Sequence, residues 1–157
     1  MLTPQIPQMH LDAWRSLLNA HSTVTELAEK ALRSADLPPL AWYDVLWALR
    51  RSPERRSRMG ELAESVTLSR GGLTKLVDRI EAAGLLRRET CATDRRGYEA
   101  VLTDAGVEML RRMWPVYAAV LEDAIVAVLA NEDAEQLAEM LDRVARTAAR
   151  PVEEPVR

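Results

Sequence analysis

The chain has one cysteine, two histidines and no phenylalanine in 157 residues. A lone thiol, Cys91, cannot close an intramolecular disulfide, and His10 and His21 add too few ligands for a zinc site, so neither a metal nor a cofactor is expected. Such cysteine usage fits a reducing compartment. No stretch approaches the ~20 consecutive apolar residues of a membrane helix. The start, MLTPQIPQMH, has neither a basic n-region nor an apolar h-region. A soluble, cytoplasmic protein with no membrane partner is expected. There is also no phosphate-cradling glycine loop, and no set of nucleophile, base and orienting residue, so the composition argues against an enzyme.

What is present is uneven charge. The net charge is −3, but residues Arg50 to Arg96 hold 12 Lys/Arg against 7 Asp/Glu, leaving 9 against 17 elsewhere. A basic middle between acidic ends points to an acidic partner for the middle, provided a motif lies there too. Chance clustering on a solvated surface is the plainer alternative.

The apolar period supplies the elements. Leu11, Trp14, Leu18, His21, Thr25, Ala28 and Leu32 recur at helical spacing between Pro7 and Pro38-Pro39, which predicts a long first helix. Pro39 is suited to open a second helix through Leu40, Trp42, Val45, Leu46 and Leu49, ending in the basic run Arg50 to Arg58. Gly60 is a candidate N-cap for a short third helix, Glu61 to Val66, and Ser69 for a fourth. In the fourth, Leu73, Leu76, Val77 and Ile80 form the inner stripe, Gly71, Thr74, Lys75 and Asp78 occupy the opposite face, and Gly84 supplies the left-handed stop. Leu85 to Arg88 and Tyr98 to Leu102 then read as two strands around a polar turn, Thr93 to Gly97. Thr103 caps a fifth helix that carries Val107, Leu110, Trp114, Tyr117, Leu121, Ile125 and Leu129 on one stripe. Pro115 is expected to kink or interrupt it. Asn131 opens a sixth. The first, fifth and sixth helices each present an apolar stripe, to be buried against a second copy or in an intramolecular three-helix bundle.

The fold class expected is mainly α: a winged helix-turn-helix with a small β-hairpin wing, flanked by N- and C-terminal helices that are dimerisation helices if their stripes are buried against a second copy. A single domain over 10–150 contains the reading part at 39–102 and dimerisation helices at 10–36 and 103–150. Arg70, Thr74, Lys75 and Arg79 offer donors to phosphates and base edges. Gly71 and Gly72, each costing about 1 kcal/mol in a helix relative to Ala, either let DNA approach closely or let the helix start cross a partner helix.

These segments resemble the MarR family of bacterial transcriptional regulators. The resemblance rests on Leu37-Pro38-Pro39-Leu40 with Asp44-Val45-Leu46, on Gly60-Glu61-Leu62-Ala63, and on the run Ser69-Arg70-Gly71-Gly72-Leu73-Thr74-Lys75-Leu76-Val77-Asp78-Arg79-Ile80-Glu81-Ala82-Ala83-Gly84-Leu85. Asp94-Arg95-Arg96 followed by Leu102-Thr103-Asp104-Ala105-Gly106 completes it, with coverage from about residue 10 to 150. It implies a homodimer on a pseudo-palindromic double-stranded DNA operator, with repression the family default. It also implies that Arg96 enters the minor groove while Asp94 orients it. The DNA-reading set is thus Ser69, Arg70, Gly71, Gly72, Thr74, Lys75, Arg79, Asp94, Arg95 and Arg96. The runner-up is a winged-helix module used for protein contacts without DNA.

Many members of the family release DNA on binding small aromatic or phenolic compounds. Trp14, His21, Trp47 and Trp114 are the candidates for such an effector pocket, although tryptophans in a chain without phenylalanine also serve as ordinary core, and a satisfied core histidine is the plainer account of His21. Cys91, read at the base of the wing, lies away from the N-terminal position of the family's oxidant sensors and is expected to be inert.

Overall fold

The structure, a computed structural model, describes residues 5–66, 70–91 and 94–149, with the backbone alone at Arg70, Cys91 and 94–97. Residues up to Val120 form one compact unit and those from Leu121 a second. The first unit holds α1 (Gln8–Ser34), α2 (Leu40–Arg51), β1 (Arg56–Arg58), α3 (Met59–Ser65), α4 (Arg70–Ala82), β2 (Leu86–Cys91), β3 (Asp94–Leu102) and all but the last residue of α5 (Asp104–Leu121). The second holds a π-helical turn, Glu122–Val126, and α6 (Asn131–Ala148). No single helix among the described residues is long and apolar enough to cross a membrane.

One apolar core organises the first unit. Ala28 and Leu32 of α1 meet Val45, Leu46 and Leu49 of α2, Leu62 of α3, the inner stripe of α4, Leu86, Ala100 and Leu102 of the sheet, and Val107, Leu110 and Met113 of α5. Burying such aliphatic side chains contributes about 1.5–3 kcal/mol each, and it fixes which face of every element points outward. The helix ends follow local chemistry. Pro39 has no side-chain donor or acceptor to cap α2, and the backbone N–H of Leu40 is satisfied instead by Glu29 Oε1 at 2.9 Å. Helix α4 stops in a Schellman motif: Gly84 has φ +74°, the Gly84 N–H donates to Glu81 O at 2.8 Å and the Leu85 N–H to Ile80 O at 3.2 Å. The same motif ends α1, but there Asp36 takes the left-handed position at φ 53°.

Four expectations are corrected. The basic run Arg50 to Arg58, expected as the end of the second helix, leaves α2 after Arg51: a turn at Pro53–Arg55 leads into β1, which pairs antiparallel with β3 (Arg56↔Val101, Arg58↔Glu99), so the sheet has three strands in the order β1-β3-β2. Helix α3 starts at Met59 rather than Glu61, because Arg58 takes the N-cap position and its N–H meets Glu61 Oε2 at 3.4 Å, displacing Gly60 from that role. The wing strands are longer than their apolar cores. Pairing extends to Cys91↔Asp94 with an irregular register beyond Thr90↔Tyr98, so Asp94 to Gly97 belong to β3, Thr93 lies outside the described residues, and Cys91 sits at the far end of β2, not at the wing's base. Helix α5 runs uninterrupted through Pro115 to Leu121, and the irregularity falls afterwards, in the π turn.

In the second unit no residue of α6 is buried, and Leu137, Met140 and Val144 stand exposed at helical spacing. Most of α1 is likewise exposed, Trp14 and Leu18 included; only its C-terminal end enters the core.

Candidate nucleic-acid interface

Helix α4 is two-faced for a simple reason. Leu73, Leu76, Val77 and Ile80 recur at i, i+3, i+4 and i+7 and are all buried, which forces Gly71, Gly72, Thr74, Lys75, Asp78 and Arg79 outward. Lys75 and Arg79 have no ion-pair partner among the described residues. Two cations, one turn apart and exposed, therefore mark the outer face. Arg70 is the first residue of α4, and Ser69 lies outside the described residues.

For Gly71 the geometry bears on one of the two readings of the glycine pair. A Cβ built there meets nothing within 4 Å. Among the described residues, no crossing helix requires glycine at that position. What the missing side chain leaves open is room for something outside the protomer.

Besides sharing the apolar core, the hairpin is joined to α4 by the chain and by a polar clamp. The chain itself passes from α4 into β2 through Gly84 and Leu85. Four residues on, Arg88 of β2 reaches back: its Nη2 lies 2.6 Å from Asp78 Oδ1, its Nη1 2.9 Å from Glu81 Oε2, and its backbone N–H donates to Glu81 Oε1 at 2.6 Å. A longer contact of 3.5 Å runs from Nη2 to the Thr74 carbonyl. A second arginine, Arg56 of β1, spans the sheet's other face, with Nη1 3.4 Å from both Glu89 Oε2 and Glu99 Oε2. Those two glutamates are directly opposite in the β2–β3 register, a like-charge pair that would repel without the guanidinium between them. Arg87 also engages Glu89, at 2.6 Å, and its hydrogen bond, ahead of the charges of Arg87 and Arg56, holds the Glu89 carboxyl below the usual range.

The basic surplus read from the sequence is therefore smaller on the surface than in the count. Arg55 (to Asp104, 3.2 Å), Arg56, Arg87 and Arg88 are all engaged with carboxylates. Asp94, Arg95 and Arg96 lie on β3 past the last regular pair, at the distal part of the wing. Tyr98, absent from the sequence-derived set, stands 56% exposed on β3; its register partner Thr90 and the next residue on that face of β2, Arg88, place it on the α4-facing side of the hairpin. The period-2 alternation of β3 was the signal that could have found it.

The four effector candidates do not come together. Trp47 and Trp114 each stack with Tyr43, with ring centroids 6.1 and 6.3 Å away, and Tyr117 meets Tyr43 edge-on at 5.3 Å. Trp14 and His21 stay exposed on α1, outside that cluster, so His21 is not a core histidine of the protomer. Beside the rings lies acid. Burial first, then the Glu29 carboxylate, pushes Asp44 above its ordinary range, and burial raises Tyr43 and Tyr117, with the negative charge of Asp44 adding to both.

A family model described as the MarR family matches residues 35–97. Among solved structures, the chain is similar to Sco3205, a MarR family transcriptional regulator from Streptomyces coelicolor solved in complex with DNA. They share 32% identity over 96% of this chain and 94% of that one, with TM-score 0.86. It is similar also to AbsC, another MarR family regulator from the same organism, at 34% identity over 93% of this chain and 98% of that one, with TM-score 0.82. A curated relative, the HTH-type transcriptional regulator MhqR of Bacillus subtilis, is 35% identical over 88 residues, 56% of this chain and 60% of that protein's length.

Proposed function

This chain belongs to the MarR family of transcriptional regulators, and we propose that it is a cytoplasmic, homodimeric repressor that binds a pseudo-palindromic DNA operator and performs no catalysis. The observation that carries the reading is the outer face of α4, where exposed Thr74, Lys75 and Arg79 follow a glycine with open space around it, on a helix whose other face is locked in the core. A helix of this kind fits the major groove, with Lys75, Arg79, Arg70 and Ser69 as donors to phosphates and base edges. The wing delivers Arg96 to the adjacent minor groove, where a narrow groove concentrates negative potential; Asp94 orients it and Arg95 adds a phosphate contact. Two copies are needed because a two-fold operator mirrors a two-fold protein, and the exposed apolar residues of α1 and of α6 are the material for that interface.

DNA retention across a salt series tests this. Binding to duplexes selected from a randomised pool should weaken linearly in log–log coordinates, and Lys75→Ala or Arg79→Ala should lower the slope by about one for each lost phosphate contact. Salt-insensitive or absent retention leaves the protein-contact module as the better reading.

Release by a small effector is part of the proposal. The Tyr43, Trp47, Trp114 and Tyr117 cluster joins α2 of the reading part to α5, so a ligand inserted among these rings changes how the two helices pack. With Asp44 alongside, neutral phenols are favoured over aromatic carboxylates, which would bring a further negative charge next to it.

A further inference from the structure

We propose that Arg88 is the positioning residue that sets the angle of α4 against the wing, and so determines base discrimination without touching DNA; this rests on the DNA-reading function proposed above. Gly84 and Leu85 link α4 to the hairpin along the chain, and the apolar stripe of α4 shares a core with Leu86, Ala100 and Leu102, but apolar burial is non-directional. Arg88 supplies a directional attachment. Its guanidinium and backbone N–H engage Glu81 through both carboxylate oxygens and Asp78 through one, and the Thr74 carbonyl lies within 3.5 Å. Residues 74, 78 and 81 follow one line along α4, so the contacts span about 10 Å of helix at 1.5 Å per residue. That is long enough to fix both the tilt of α4 and its rotation about its axis.

The clamp adjoins the reading face. Lys75 and Arg79 each follow a residue that Arg88 holds. Lys75 lies nine residues before Gly84, about 14 Å from that link, and a tilt of ~10° would carry it ~2 Å sideways, well beyond what a hydrogen bond to a base edge tolerates. Charge-assisted, multidentate arginine–carboxylate contacts are the geometry suited to such a constraint. The side chain of Arg88 is 23% exposed, with its donors directed at carboxylates, so it is committed to the protein rather than offered to phosphate.

The experiment compares wild type, Arg88→Ala, Arg88→Lys, Asp78→Asn and Glu81→Gln on the tightest duplex the wild type selects from a randomised pool and on a scrambled duplex of equal length, each across a salt series. The expected result is a fall of roughly tenfold or more in the specific-to-scrambled affinity ratio for Arg88→Ala. Its salt slope on the scrambled duplex stays that of wild type. Asp78→Asn and Glu81→Gln lower the same ratio, although each removes a negative charge beside the DNA, and Arg88→Lys recovers part of it. These two carboxylate variants keep the test open if Arg88→Ala fails to fold. A salt slope reduced by about one with an unchanged ratio would make Arg88 a phosphate contact. An unchanged ratio in all four variants would make the clamp structural only, and either result overturns the proposal. Salt-insensitive binding by the wild type itself would instead strike the DNA-reading function on which the proposal stands.

Discussion

Replacing Gly106 by alanine should destabilise the protein, although a glycine-to-alanine change inside a helix ordinarily stabilises it by about 1 kcal/mol. Gly106 lies in the first turn of α5 and is buried. A Cβ built there collides with the Leu85 carbonyl oxygen and lies 2.6 Å from Leu102 Cδ1. Neither neighbour can yield freely. The Leu85 carbonyl accepts the Thr103 N–H at 3.2 Å, and Thr103 Oγ1 donates to Gly84 O at 2.8 Å while accepting the Gly106 N–H at 3.1 Å, so the start of α5 is stitched to the end of α4. Overpacking a tight contact costs about 1–3 kcal/mol, and moving α5 away breaks two hydrogen bonds of ~1 kcal/mol each. After the gain in helix propensity the net loss is about 2–4 kcal/mol, a large share of a typical stability of ~5–15 kcal/mol. Urea unfolding of the variant should show the midpoint falling by about 1–2 M with the slope unchanged. A Gly106→Ala protein as stable as wild type, or more so, would refute the claim that the α4–α5 crossing requires glycine.

Asp36→Gly should raise stability by about 1 kcal/mol, read as a higher urea midpoint, because a non-glycine residue now occupies the left-handed position that ends α1. Glu89 has its folded-state pKa depressed, so its pairing with Arg87 and Arg56 contributes fully above the ordinary glutamate range and is lost as pH falls through the depressed folded value. Thermal melting between about pH 5 and 2 should therefore decline less steeply in Glu89→Gln than in wild type, and parallel curves would contradict that. Light scattering at micromolar concentration should give about twice the chain mass of 17.6 kDa, and a clean monomer would sink the dimer. Neutral phenols should quench tryptophan fluorescence and weaken DNA binding together, more than the matching carboxylates do; a panel without either effect removes the effector.

How much of this was legible beforehand depended on whether each feature is local. The register of α4 was readable because Leu73, Leu76, Val77 and Ile80 carry the helical period and Gly84 carries the stop, both within one stretch of chain. Strand β1 was not. Arg56-Ser57-Arg58 carries no strand signal of its own and becomes a strand only by pairing with Glu99-Ala100-Val101 of β3, over forty residues away. The wing's extent failed for a related reason: Asp94 to Gly97 look like a turn by composition, yet hairpin pairing carries them into β3. Pro115 misled in the other direction, since losing one N–H bond in a helix whose preceding turns are anchored by Val107, Leu110 and Met113 costs less than abandoning that packing.

Arg88 brings out what a charge count cannot contain. In the sequence it is one of 12 cations in the basic middle, indistinguishable from Lys75 or Arg79. In the fold it faces Asp78 and Glu81, and its charge is cancelled where it stands. The same holds for Arg56 between Glu89 and Glu99. Charge near DNA thus divides into cations that face outward and cations that hold the reading elements in place, and the two respond oppositely to removal of a neighbouring carboxylate. Freeing an outward cation from a carboxylate strengthens binding to every duplex, because phosphate attraction is indifferent to sequence. Freeing a clamp strengthens non-specific attraction while loosening the geometry that distinguishes one sequence from another. Discrimination and affinity should therefore separate in the Asp78→Asn variant, and in no variant of Lys75 or Arg79 should they separate in that direction.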